Sequence, residues 1–477
     1  EQAVELGLQR NLGIAIQRFS RTQSRLGLLG TEGYYDLLFD ASVTADKSKS
    51  PGTSRIGGTQ SDSQTFGFGL SQNIPLGGNL DFSVGSSRKG SNSSDQTAPT
   101  VYGAGTTFTF TQPLLRRFGR LVTEQPILTA YNTSRIAGTE FELLVTSTVQ
   151  QVTTAYWNLV GARQQLIVAE QSLALAKELH ERNRIQVDVG TLAPLELVQS
   201  EAAIATREED IIRAGSAVGD AEDVLRRLLN LPAGDLWNKT IEPTTAPETE
   251  APAIDTEESI RTALASRAEI RSQSLSLAQA ELDAKVAKAL VKPGLDLKVS
   301  NTLGGGATTL RDAIDQVTGA DLPGWSASLV FSVPVQNRSA LAKSASAKLE
   351  VAKSEVQLDQ QKLVVSTEVR QAVRAVQTAE KQIEAARKAR EFQEKNLDAQ
   401  KKRYENGMST SFEITRVQDD LTQARSSEVS ATIAYRTALI EYYRTIGKLL
   451  ENQGVKIDDP DDTIHRFGFY RSPLLGE

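Results

Sequence analysis

The chain has 477 residues, of which 53 are basic and 59 acidic, for a formal net charge of −6. The two signs are interspersed, so no basic face is offered to nucleic acid and no acidic tail dominates. With no cysteine present, disulfides, thiolate metal sites, cysteine nucleophiles and a lipidated cysteine within this stretch are all excluded, and the composition suits an oxidising compartment.

No run of about 18 apolar residues exists, so no helix is available to cross a membrane. Any crossing therefore falls to strands. The sequence starts in mid-pattern at Glu1, without a charged and apolar leader, and any signal peptide is expected to have been removed already.

Residues 1–30 repeat Val4, Leu8, Leu12, Ile16 and Phe19 at helical spacing, which predicts one helix. From residue 34 the period becomes two, and strands are predicted at 36–46, 64–74, 80–87 and 101–112. Each has one apolar face (Phe39 and Val43; Phe66, Phe68 and Leu70; Phe82 and Val84; Phe108 and Phe110) and one small or polar face. Loops of Ser, Gly and Thr at 47–62 and 86–100, with a tight turn at 75–79, give the asymmetry of an outer-membrane barrel. The second half adds strands at 294–303 and 325–335, joined by a Gly-rich loop, 304–324. A soluble β-sandwich with one wet face fits the strands alone equally well.

Long helices are predicted at 127–189 and 339–406, each without an internal proline. At about 1.5 Å per residue each would span roughly 90–100 Å, wider than a globular domain of this size. In the second, Val365, Val369, Val373, Val376 and Ile383 form a narrow seam amid Ala, Gln, Ser, Lys and Glu. An antiparallel coiled-coil hairpin and a wall of such hairpins around water both fit.

The stretches 148–231 and 365–450 repeat one another at an offset of 217, which places Gly190 on Gly407, Glu196 on Glu413 and Asn230 on Gly447. Two copies of so long a unit indicate duplication rather than a solenoid. The first repeat is assigned to 1–231, ending in a helix at 195–231; the second to 257–451, ending in a helix at 412–451. A Pro-rich linker, 232–256, joins them. A polar tail, 452–477, carries Asp458, Asp459, Asp461 and Asp462 around Pro460. In the turns, Gly just past a long helix supplies a left-handed cap, and Pro194 or Ser411 can open the next helix.

Six strands are too few to close, since the smallest transmembrane barrels use about eight. If these strands cross a membrane, several chains must share one barrel, because an open edge is not tolerated in lipid.

The turn Val189 to Leu197 with Gln199, and Tyr404 to Gly407 through Phe412-Glu413-Ile414, resemble the two periplasmic turns of the TolC family of outer-membrane efflux proteins. The strand ends Gln72 to Leu76, Thr111 to Leu115 and Phe331 to Val335 resemble that family's exits from barrel to helix. The resemblance implies an α+β membrane protein: a homotrimeric outer-membrane β-barrel continued by a long periplasmic α-helical barrel, built from an internal duplication. It implies a passive channel of a tripartite efflux or type I secretion system in a Gram-negative cell, with no catalytic activity and no cofactor. Its partners would be outer-membrane lipid, a periplasmic adaptor (membrane fusion) protein and an inner-membrane transporter. Gly190, Thr191, Gly407 and Met408 would touch the adaptor, while Glu196, Tyr404 and Glu413 would belong to the periplasmic gate.

This sequence departs from the family pattern in two places. A common gate arginine is replaced by Ser409, and a common acidic residue by Arg416, so Arg416 is either the cation for Glu413 or for Glu196 of a neighbouring helix, or one half of a solvated surface charge pair. The other departure is the barrel. The usual member contributes four strands per chain, whereas this chain offers six, which gives eighteen strands in a trimer unless the hairpin 64–88 folds outside the membrane and leaves twelve.

Other chemistry is poorly supported. His180 and His465 lack ligand-like neighbours. Gly304-Gly305-Gly306 is followed by no Gly-Lys-Ser/Thr and reads as a flexible loop. Glu196 and Glu413 have no nucleophile near them, and Tyr156 and Trp157 read as seam packing. The competing reading is a periplasmic or surface coiled-coil scaffold without channel activity.

Overall fold

The computed structural model describes residues 1–49, 60–92, 98–232, 234, 237–245 and 253–457. The acidic part of the tail with His465, part of the Pro-rich linker and the centre of the first loop lie outside the described residues.

The chain opens with α1 (Gln2–Arg10) and α2 (Leu12–Glu32). The single helix expected over 1–30 is thus two. Asn11 causes the break: its backbone is extended, and its Oδ1 accepts from the backbone N–H groups of Gly13 (2.8 Å) and Ile14 (3.3 Å), capping the second helix. Then follow β1 (Leu38–Lys49), β2 (Gln60–Asn73), β3 (Asn79–Ser91), β4 (Thr100–Pro113), α3 (Arg120–Thr123), α4 (Gln125–Asp188) and α5 (Leu195–Leu228). The second half gives α6 (Thr256–Ser266), α7 (Ala268–Ala289), β5 (Gly294–Ala307), α8 (Leu310–Thr318), β6 (Leu322–Ser332), α9 (Arg338–Glu405), α10 (Ser411–Thr445) and α11 (Leu449–Asn452).

The described chain forms two compact units. One, residues 22–136 and 274–357 in its described part, holds a six-stranded antiparallel sheet in the order β1-β2-β3-β4-β5-β6. The hairpin of β2 and β3 is an integral part of this sheet. Its register brings the apolar positions together: Phe39 lies opposite Leu70, Leu70 opposite Phe82, Phe82 opposite Phe108, Phe110 opposite Val299 and Leu295 opposite Phe331. One face is therefore a continuous apolar band, most of it exposed (Trp325 by 82%), with Phe110 and Leu295 half-buried. The other face carries Asp40, Gly69, Asp81, Thr109, Ser300 and Ser326.

The strands run further into the Ser/Gly segments than period-two patterning predicts. Residues 47–49, 60–62 and 86–91, expected as loop, belong to the ladder. Backbone pairing continues there without an apolar pattern, helped by the diagonal Arg88–Asp62 ion pair at 2.9 Å. The loop expected at 304–324 is likewise replaced by strand ends and by α8. Gly305 makes this possible, since a Cβ there would lie 2.0 Å from the Ala313 carbonyl oxygen. The helix rests directly on the strand backbone, and Gln316 Oε1 accepts from the Gly306 N–H at 2.9 Å.

The other unit, residues 1–21, 137–273 and 358–459 with the described part ending at 457, is helical. Val145, Val149, Val152, Trp157 and Leu159 of α4 pack with Leu225 of α5 and Ile440 of α10. The α9 seam of Val365, Val369, Val373, Val376 and Ile383 packs with Tyr435 and Leu439 of α10 and Ile260 of α6. Trp157 is in the core, under the Arg436 guanidinium at 4.7 Å from its ring centroid, and Tyr156 accepts from the Thr245 N–H at 3.1 Å. Both serve packing, as read from the sequence.

Candidate functional site

The two long helices, α4 and α9, end in the same way. Gly190 (φ 79°) and Gly407 (φ 73°) take the left-handed conformation that a side chain resists. In the first turn Gly190 N–H donates to Val187 O (2.9 Å) and Thr191 N–H to Gln186 O (2.8 Å); in the second Gly407 N–H donates to Tyr404 O (2.9 Å) and Met408 N–H to Arg403 O (2.8 Å). This is one C-terminal cap used twice. The same pair of bonds closes α5 at Asn230 and α10 at Gly447.

The openings of the next helices differ. Thr410, not Ser411, caps α10: its Oγ1 accepts from the Glu413 N–H at 3.3 Å. Ser411 is the first helical residue, and its hydroxyl donates to a Glu196 carboxylate oxygen. α5 follows Pro194, which supplies no side-chain cap.

Behind the turns lies a small core of Leu179, Leu397, Tyr404, Ile414, Val417 and Leu421. Tyr404 bridges the ends of α9 and α4, its hydroxyl within 2.7 Å of Asn183 Oδ1 and 2.9 Å of Gln186 Oε1. Asn183 is completely buried. Burial, and then the Glu196 carboxylate, raise the Tyr404 phenol above its ordinary range, so it stays a donor at neutral pH. Nearer the surface, Arg182 joins Glu405 and Glu178 (2.8 Å each), and Lys401 reaches Glu178 at 3.0 Å. The hydrogen bond from Lys401 is the main cause that holds the Glu178 carboxyl below its usual range. Gln400 donates to Ser409 Oγ (2.6 Å) and to Glu413 (3.3 Å), and His180 pairs with Ser200 at 2.8 Å.

Of the residues singled out from the sequence, Glu196, Tyr404 and Glu413 lie in this cluster. Arg416 does not join them. It is exposed, and among the described residues no ion pair links it to Glu413 or Glu196 within the chain; those carboxylates accept from Gln400 and Ser411. Gly190, Thr191, Gly407 and Met408 are exposed at the turns, beside the exposed apolar residues Val189, Leu195 and Phe412. Sequence reading missed Asn183 and Gln400. A signal was available, since both stand seven residues before a turn glycine and coincide at the repeat offset: an amide at a seam position that is otherwise apolar. Among the described residues no cluster of His, Asp or Glu could hold a metal ion.

Residues 259–448 match the model of a protein family described as outer membrane efflux protein. Similar solved structures include the outer-membrane channel OprN, with a TM-score of 0.71 and 18% identity over 94% of this chain and 89% of that one. The Campylobacter jejuni outer membrane channel CmeC gives a TM-score of 0.69 and 16% identity, covering 98% and 87%. The open state of the Neisseria gonorrhoeae outer membrane channel MtrE gives 0.65 and 18%, covering 94% and 89%. At these identities the likeness is one of fold. No curated protein matches the sequence.

Tyr404→Phe leaves the buried Asn183 amide oxygen without its donor, an expected loss of about 1–3 kcal/mol. Hydrogen exchange should speed up in 179–190 and 400–421 but not in 145–160; equal protection in both proteins would show that the bridge contributes nothing. Glu178, with a depressed pKa, contributes stability that is present above its unfolded value of about 4.3 and is lost as pH falls through the folded value. The same segments should therefore loosen in wild type below about pH 4, and less so in Glu178→Gln, whose link to Lys401 is already weakened.

Proposed function

We propose that this chain, whose residues 259–448 carry the outer membrane efflux protein domain and whose fold is that of outer-membrane channels, is the passive outer-membrane channel of a tripartite efflux or type I secretion system. The observation that carries this reading is an open six-stranded sheet with one continuous apolar face and two unpaired edges, β1 and β6. In lipid those edges must be paired, and a band of Phe, Leu and Val beside a face of Ser, Thr, Gly and Asp is the alternation of a barrel wall with a wet lumen. Copies joined β6 to β1 close such a wall, and three copies give eighteen strands.

Helices adjoining both edge strands in sequence support a ring. α2, before β1, exposes Leu12, Ile16, Phe19 and Leu26; α9, after β6, exposes Leu349, Val356 and Leu363 at a strict seven-residue spacing. A heptad stripe left exposed among the described residues asks for another helix. A head-to-tail contact between two different edges closes a cyclic oligomer. The long helices of the assembled copies would then form the periplasmic barrel. The shared caps at Gly190, Gly407, Asn230 and Gly447 support duplication as its origin.

The exposed turns, Gly190 and Thr191 with Gly407 and Met408, are the surface for a periplasmic adaptor. An inner-membrane transporter supplies the energy, since the chain itself only conducts. Glu196, Tyr404 and Glu413 hold the gate end of each copy together, and Arg416, exposed on the first turns of α10, acts between copies. The coiled-coil scaffold reading leaves the apolar band of the sheet without a partner.

The protein should sediment with membranes and require detergent, and electron microscopy of the extracted particle should count eighteen strands around a threefold axis. Twelve would mean that the β2–β3 hairpin leaves the barrel, and a soluble monomer would remove the channel reading. Arg416→Ala should raise single-channel conductance or open probability in planar bilayers, and unchanged traces would exclude Arg416 from the gate.

A further inference from the structure

We propose that a basic cavity at the foot of the sheet binds the phosphate of an anionic phospholipid in the inner leaflet of the outer membrane, an inference that rests on the outer-membrane reading above. The foot is the end where β4 and β6 leave the sheet and β5 enters it. There the β4–β5 ladder continues beyond the strands proper, with Leu114 N–H donating to Leu295 O at 2.7 Å and Arg116 N–H to Pro293 O at 3.2 Å. Alternation along this ladder puts Arg116 on the same face as Phe108, Phe110 and Leu114. It is the first cation past the lower margin of the apolar band.

Arg116 opens on a cavity of about 630 Å³ whose wall also includes Leu290, Pro334, Val335, Arg338 and Lys343. Three cations and no carboxylate line it. None of the three has an ion pair among the described residues, and Arg116 Nε is buried without an acceptor. The backbone N–H groups at the start of α9 lie in the same wall. Its first helical bond runs from Leu341 N–H to Asn337 O, so the three preceding donors have no intrahelical partner, and the helix dipole adds positive potential. The wall is fixed in place by Asn337, which donates from Nδ2 to Val291 O at 2.8 Å.

A free anion would satisfy only half of this site. Leu290, Pro334 and Val335 make the other half apolar, and Val335, 98% exposed, follows Phe331 and Val333 from the lipid-facing side of β6. A ligand with a phosphate and an acyl chain satisfies both halves. Basic pockets at a membrane boundary recognise anionic headgroups in this way.

The test uses the detergent-extracted protein and compares retention of phosphatidylglycerol, phosphatidylcholine and inorganic phosphate by native mass spectrometry and thermal shift. Wild type, Arg116→Lys and the opposite-face control Lys298→Gln should retain phosphatidylglycerol over phosphatidylcholine. The double variant Arg116→Gln/Lys343→Gln should bind it roughly tenfold or more weakly, and inorganic phosphate should not displace it. Equal binding of phosphatidylglycerol by wild type and double variant would overturn the proposal, and so would displacement by inorganic phosphate, which would make this a free-anion site. Either result in membrane-extracted protein strikes the lipid site alone. Recovery of the chain in the soluble fraction would instead strike the outer-membrane reading on which it rests.

Discussion

Backbone hydrogen bonding at the two edges of the sheet governs this molecule. Among the described residues β2 to β5 are paired on both sides, while β1 and β6 each have one edge without a neighbouring strand. In water such edges are blunted by charge, proline or a covering element. Here Lys47 and Lys49 stand near one end of β1, but Phe39 and Val43 keep one face of the rest of it apolar and exposed. Among the described residues of the unit that holds the sheet, buried apolar side chains are few, the cluster of Leu28, Tyr35 and Ile127 among them. The sheet therefore draws little stability from packing inside its own chain. On the channel reading proposed above, closure with other copies would satisfy the edges and lipid would cover the band.

The helical unit meets the same shortage differently. Its seams are narrow: on α9 one valine per turn is buried while Gln, Lys, Glu and Arg fill the remaining positions. Side-chain hydrogen bonds and ion pairs supplement these seams where they are thinnest. Near the turns Arg182, Lys401 and Tyr404 tie α9 to α4. Further along, Arg267 is buried between Glu269 (2.5 Å) and Glu368 and joins the start of α7 to α9. The two carboxylates offset the desolvation of a guanidinium that could not be held there alone. Long wet faces and few apolar contacts suit a wall that faces water on both sides, and the polar ties between helices help to hold helices of such polarity in place.

Much of this was legible because period and turn chemistry are local. Alternation placed six strands, the Val365 to Ile383 spacing placed the buried seam, and glycine placed both turns. What escaped depends on contacts far apart in sequence or on backbone geometry that hydropathy does not report. Asn11 breaks a helix whose apolar stripe runs through it unchanged. The strand ends at 47–49 and 86–91 pair by backbone alone. α8 hides in a Gly-rich stretch because Gly305 and its neighbours look like a loop, although the missing Cβ is what lets a helix lie on the strand. Tyr404 meets Asn183 across 221 residues, and only the repeat offset hinted at the second partner.

The two turns share one cap pattern and are held in different ways. At the offset of 217, Tyr404 falls on Val187, Ser411 on Pro194 and Thr410 on Ala193. The first turn thus has a proline that fixes its backbone and no side-chain cap, while the second has the cap, the hydroxyl and the phenol. Beside the local bonds of Gln400 to Ser409 and Glu413, the second turn is tied outward to α4 and α5: Tyr404 to Asn183 and Gln186, Ser411 to Glu196. Such polar ties resist separation of the helix ends less than a packed apolar seam would, because water can replace each partner as it is released. The end of α9 is consequently the part of this unit that can part from α4 without uncovering a large core. On the gate reading proposed above, this asymmetry makes the proline-fixed first turn the post and ties the second turn to it by a few exchangeable bonds.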